Sequence, residues 1–147
     1  MNRNTWDLLQ KDYEQYPEDF SGPSDIKEIL EKEKKLKVFF SKDYIKLIEN
    51  FGSCILPGYL IHGIRSLPEM SHPTNDVVKK TLFYRSQNWP GIEDWYIVSD
   101  DGRGNPIGVD PEGRVWLSDH DSGFEKVLLA ENFEEFLYKL LTDTLYE

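Results

Sequence analysis

The amino-terminal third of the chain spaces its apolar residues at three- and four-residue steps, whereas the region after Pro90 alternates short apolar runs with glycine-bearing polar breaks. The first pattern predicts helices and the second predicts strands, because side chains recur every 3.6 residues around a helix and every two along a strand. In SDIKEILEKEKKLKVFF, Ile26, Ile29 and Leu30 share a helical face, and Ser24 is a suitable cap. SKDYIKLIENFG predicts a second helix, capped by Ser41, with Asp43 in its positive first turn and Gly52 as its stop. Tyr44, Leu47, Ile48 and Phe51 form its core-facing stripe, while Lys42, Lys46 and Glu49 face water. Phe40 is placed to staple onto Ile45 at the fourth helical position.

Residues 52–92 mix glycines and prolines with short apolar runs, which predicts edge strands or irregular segments around one short helix near Asn75–Tyr84. Beyond them, DWYIV pairs with NPIGV across the Asp-Asp-Gly-Arg-Gly turn. RVWLS follows an Asp-Pro-Glu-Gly turn and KVLLA adds a fourth strand, so the segment reads as a β-meander, with Pro106 at a strand end. In NFEEFLYKLLTDTL, Asn132 and Glu135 have capping-box spacing, and Phe133, Phe136, Leu137, Leu140, Leu141 and Leu145 make one apolar face. Strands and helices with one-sided apolar patterns bury them together. The expected fold is α+β, one domain over residues 1–147, with a twisted, mainly antiparallel sheet covered on one face by helices. Residues 1–23 are an amino-terminal extension or a first helix.

Composition agrees with that reading, since 147 residues fit one core and 39 % hydrophobic with 14 % aromatic residues is richer than disordered chains allow. The lone Cys54 excludes an internal disulfide framework and, beside Ile55 and Leu56, reads as a small buried hydrophobe. No apolar run approaches the roughly 20 residues a bilayer needs, and the amino terminus carries no long apolar stretch, so neither membrane spanning nor secretion is expected and the location is cytoplasmic. A net charge of -10 opposes direct binding to nucleic acid or anionic lipid and favours a basic protein partner. The charge is uneven: residues 1–40 carry -2, residues 41–90 carry +2 and residues 91–147 carry -10. The excess is either a solvated face or a recognition surface.

Candidate chemistry is sparse. His62, His72 and His120 have spacings that match no compact ligand motif, and Asp119 and Asp121, flanking His120 on a regular strand, would point to the opposite face from it. DDGRGN lacks the ligand positions of a calcium loop, and GRGNPIG lacks both the dinucleotide fingerprint and the lysine of a phosphate loop. Ser99, Ser118 and Ser122 are not at a nucleophile elbow. No catalytic residue, cofactor or metal is therefore expected. A carboxylate-dependent hydrolase ranks last, because it needs converging acids with one in a partly apolar pocket, and the acids here fall in hydrophilic turns. Trp89, Trp95, Tyr96 and Trp116 either line a groove or pack, with Trp95 and Tyr96 on opposite sides of their strand.

SKDYIKLIENFG, YIVSDDGRGNPIGVDPEGRVWLSDHDS and VLLAENFEEFLYKL, taken in order, resemble the SUKH superfamily over residues 24–141. This group includes fungal cell-wall-assembly regulators and many bacterial immunity proteins. The matching positions are Asp43, Tyr44 and Gly52 in the helix, then Asp101, Gly102, Gly104, Asn105, Asp110 and Gly113 in the sheet turns, then Phe133, Phe136 and Leu137 in the last helix. Ser41 stands where the family usually has a proline, and Phe51-Gly52 where it often has Asn-Gly; a cap and a stop are preserved. The resemblance implies a non-enzymatic immunity protein that neutralises a cognate bacterial toxin, commonly a nuclease with a basic substrate cleft. Asp100, Asp101, Asp110, Glu112, Asp119 and Asp121 are then the candidate contacts, with Trp116 as a candidate buried anchor. The alternative is an intracellular scaffold or regulator with a constitutive partner.

Overall fold

The computed structural model describes residues 4–65 and 76–146. Three helices lead, α1 (Thr5–Gln15), α2 (Ile26–Leu36) and α3 (Lys42–Asn50), followed by a hairpin of β1 (Cys54–Leu56) and β2 (Tyr59–Ile61). After α4 (Val77–Ser86) come β3 (Tyr96–Asp100), β4 (Pro106–Val109), β5 (Val115–Asp119) and β6 (Glu125–Ala130), and α5 (Phe133–Leu141) closes the chain. The four later strands form an antiparallel meander in sequence order, as the spacing of their turns predicts. The β1–β2 hairpin lies beside β3, tethered by His62 N–H to the Val98 carbonyl at 2.8 Å and by the Ser99 hydroxyl to the Leu60 carbonyl at 2.8 Å. A β-bulge between Ile97 and Ser99 shifts the β3–β4 register.

The helix starts follow their caps. Ser41 Oγ accepts from Tyr44 N–H, Asn132 from Glu135 N–H and Asp76 from Val78 N–H. The cap of α2 is Asp25, which accepts from Lys27 N–H, and not Ser24, which is buried. Phe40 meets Tyr44 at a centroid distance of 5.0 Å and Tyr96 at 4.8 Å, so the ring closing the entrance of α3 rests on the third helical residue and the sheet. The stripe Tyr44, Leu47, Ile48 and Phe51 is buried as predicted.

The amino-terminal segment is integral to the domain. Leu9 of α1 is fully buried, and the Thr5 hydroxyl donates at 2.5 Å to Glu134 at the start of α5. Helices α1, α2, α3 and α5 share the main core with Tyr96, Val98, Ile107, Val109, Val115 and Leu117. The expectation of a sheet covered on one face only is corrected by a second, smaller cluster of Tyr84, Ile92, Trp95 and Ile97, with Trp89 and Trp116 against it. Trp95 and Tyr96 take opposite faces, as strand alternation requires. Gly108 makes room for the second cluster, because a Cβ there would lie 2.6 Å from the Trp95 ring. Cys54 is fully buried, and burial raises its thiol pKa well above the usual value.

Candidate functional site

The meander decides how its acids are grouped. Alternate turns of an antiparallel meander lie at the same end of the sheet, so the β3–β4 and β5–β6 turns share one end and the β4–β5 turn occupies the other. Asp100, Asp101, Asp119 and Asp121 therefore gather at one end, while Asp110, Glu112 and Trp116 sit toward the other, about 13 Å away along a four-residue strand. From the sequence the seven are candidates with no grouping assigned; the meander's strand order is the signal that divides them.

At the first end the buried Asn105 is the hub. Its side-chain N–H groups donate to Asp101 Oδ2 at 2.8 Å and Asp119 Oδ1 at 3.4 Å, and its Oδ1 accepts from His120 N–H at 3.0 Å. His120 Nδ1 also meets Asn105 Oδ1. Asp101 Oδ1 accepts from the backbone of Arg103 and Asn105, and Asp100 Oδ1 from Gly102 N–H. Burial alone would raise the Asp101 pKa, but the bonds from Asn105 and the two backbone N–H groups outweigh it and hold the carboxyl below its ordinary value. In the sequence Asn105 begins the NPIGV segment and matches a family turn position; nothing in its spacing marks it as the link between two turns.

His120, Asp121 and Ser122 form a short 3₁₀ turn after the strand that RVWLS predicts. That turn brings one ligating atom each from Asp119, His120 and Asp121 within 4.8 Å of one another, which strand alternation alone would not do. The cluster is already bonded internally. Asp119 accepts from Asn105, Asp121 N–H and the Ser122 hydroxyl, and His120 Nε2 lies 3.3 Å from Asp121. His62 is buried in the core, and His72 lies outside the described residues.

At the other end Asp110 serves its own turn. Its carboxylate accepts from the backbone of Glu112 and Arg114, from Arg114 Nε at 3.1 Å and from Trp116 Nε1 at 2.9 Å, and the residue is 7 % exposed. Desolvation raises its pKa, and these four donors with the charge of Arg114 bring it below the ordinary value. Trp116 is half-buried against the second cluster, with the Arg114 guanidinium 5.6 Å from its ring. Glu112 is open to solvent, 3.4 Å from Arg114. A cleft of about 200 Å³ near α1 contains Asp12 and Asp19 beside Ile55 and Leu56, and burial, then the Asp19 charge, raises the pKa of Asp12.

Beside the first end, a groove of about 490 Å³ opens between α4 and the β5–β6 turn. Phe83, Tyr84, Trp89 and Phe124 meet edge to face at 5.2 to 5.3 Å. Phe124 sits at φ +65°, a left-handed conformation that costs a side-chain-bearing residue about 1–2 kcal/mol. Of the four aromatics weighed from sequence, Trp89 lines this groove, Trp95 and Tyr96 are core, and Trp116 is a packed rim residue.

An antiparallel sheet packed against helices, with acidic turns and an aromatic groove at one end, defines a single α+β domain. A family described as SUKH_5, SMI1-KNR4 cell-wall, matches residues 3–142, and the chain belongs to it. The match takes in α1, which the resemblance over residues 24–141 had left outside. No curated protein matches the chain. No helix among the described residues is long and apolar enough to cross a membrane.

Proposed function

We propose that this chain is a non-enzymatic immunity protein of bacterial origin that works in the cytoplasm, binding a cognate protein toxin and blocking its active cleft. Membership of the SUKH group supports the immunity-type role. The observation that carries the rest is the joining of Asp100, Asp101, Asp119 and Asp121 into one acidic end by Asn105 and the backbone of two turns. Held carboxylates present negative charge without the ordering cost of long side chains. A surface of that kind suits a cleft built for polyanionic nucleic acid, which makes a nuclease the favoured toxin. Inhibition then needs no chemistry, since occupying the cleft excludes the substrate.

Asp110 takes no part in this reading, because its carboxylate is consumed by Arg114, Trp116 and its own turn. Glu112 and Trp116, at the far end, are peripheral to it. The test is to co-purify the chain with any nuclease encoded by a neighbouring gene, and to measure nuclease activity and growth of cells that express that nuclease. Stoichiometric loss of nuclease activity with restored growth is the expected result. A stable complex in which the partner stays fully active would overturn the immunity role and favour a scaffold.

A further inference from the structure

The groove beside the acidic end has its own chemistry. Its rings have spent their polar handles internally: the Tyr84 hydroxyl donates to the Gly104 carbonyl at 3.1 Å, and Trp89 Nε1 donates to Ser118 Oγ at 2.8 Å. What remains toward solvent is ring surface, with Phe83 53 % and Phe124 39 % exposed. Phe124 follows Gly123, and both have left-handed φ, where glycine is comfortable and a large side chain is strained. The ring meets Trp89 edge to face at 5.3 Å.

The two turns that flank the groove, which reach its lining through Gly104 and His120, are predominantly acidic. Residues 100–105 and 119–125 contain five acids, Asp100, Asp101, Asp119, Asp121 and Glu125, against one base, Arg103. The acids reach the groove electrically, since burial first, and then Asp100 and Asp101, push the Tyr84 hydroxyl up to about 12. Aromatic faces flanked by acidic turns match a planar, weakly hydrated cation better than a compact, strongly hydrated one.

We infer that this groove receives an arginine side chain of a basic protein partner, its guanidinium laid against the rings of Trp89 and Phe124 and its charge answered by the acids of the two turns. The inference rests on the immunity reading for the partner's identity, and it fixes the kind of residue that partner must present.

The full chain, labelled at its tryptophan indole nitrogens, is titrated at low salt with N-acetyl-arginine amide, and separately with the lysine, citrulline and leucine amides. Arginine is expected to shift the Trp89 indole signal, lysine several-fold more weakly, and citrulline, which keeps the shape without the charge, not at all. No shift with arginine, or an equal shift with citrulline or leucine, overturns the inference. Phe124→Gly removes the ring while suiting the backbone, so it is expected to fold normally and to lose roughly tenfold in arginine affinity. A folded Phe124→Gly chain that binds arginine unchanged overturns the proposal. Phe83→Ser, at an exposed position, supplies the same comparison if the glycine variant fails to fold. Toxin neutralisation that survives Phe124→Gly but fails in an Asp100→Asn/Asp121→Asn variant refutes the groove and leaves the immunity reading standing. Arginine binding in a chain that neutralises no toxin refutes the immunity reading alone.

Discussion

His62 is fully buried and neither ring nitrogen has a hydrogen-bond partner among the described residues, while its backbone carbonyl accepts from the Tyr44 hydroxyl at 2.6 Å. Burial, and next the positive charge of Lys80, lowers its pKa from 6.5 to about 3. The folded chain therefore keeps the imidazole neutral down to about pH 3, whereas the unfolded chain protonates it below 6.5. Between those values the unfolded state binds more protons, so the protonation-linked cost of this residue is absent above pH 6.5 and grows as pH falls. Across the window the effect is on the order of 4 kcal/mol. Asp101 and Asp110, whose folded pKa values are lowered, lose stability in the same direction at more acidic pH, so the wild type alone cannot isolate the histidine. His62→Leu is expected to flatten the unfolding free energy between pH 6.5 and 4 relative to wild type, measured by urea titration at a series of pH values. Parallel curves for the two proteins would show that the imidazole is solvated or paired in solution.

Gly108 in the centre of β4 shows how one strand position joins two layers. It pairs with Ile97 on one side and Trp116 on the other, and its missing side chain is where the Trp95 ring lies. Gly108→Ala places a methyl against that ring and is expected to cost about 1–3 kcal/mol. The loss should appear in chemical denaturation together with a weaker near-UV tryptophan signal, and an unchanged midpoint would mean the ring moves aside freely. The strands themselves were legible in the sequence because two-residue alternation and glycine turns are local signals, and α3 and α5 were legible through their caps. The second cluster was not, since covering both faces of the sheet depends on where residues 84–95 return. Nor was the role of α1, whose anchor is the bond from Thr5 to Glu134 across most of the chain. At the site, the acids were visible from composition, whereas the 3₁₀ turn at His120 and the Asn105 link were hidden. Both are settled by the approach of two turns and not by any one segment's pattern.

Across the whole molecule, the -10 carried by residues 91–147 resolves into unequal fields. The β4–β5 turn partly cancels itself, with Arg114 held by Asp110 at 3.1 Å and by Glu112 at 3.4 Å, whereas the opposite end has five acids and one base in its two turns. Exposed charges steer an approaching partner over roughly a Debye length, about 8–10 Å at moderate ionic strength, so two ends about 13 Å apart act separately. A basic partner should therefore be drawn to one end. Asp100→Asn with Asp121→Asn alters charge while keeping a side-chain oxygen for the turn, and Asp121 is 65 % exposed. This pair is expected to lower the association rate with the proposed toxin about three- to tenfold at about 0.1–0.15 M ionic strength and to reduce its salt dependence. Glu112→Gln, 68 % exposed at the far end, should change the rate by less than about twofold. Stopped-flow association at several ionic strengths reads both. Equal effects from the two ends would mean that total charge governs encounter and that the acidic end has no privileged place in binding.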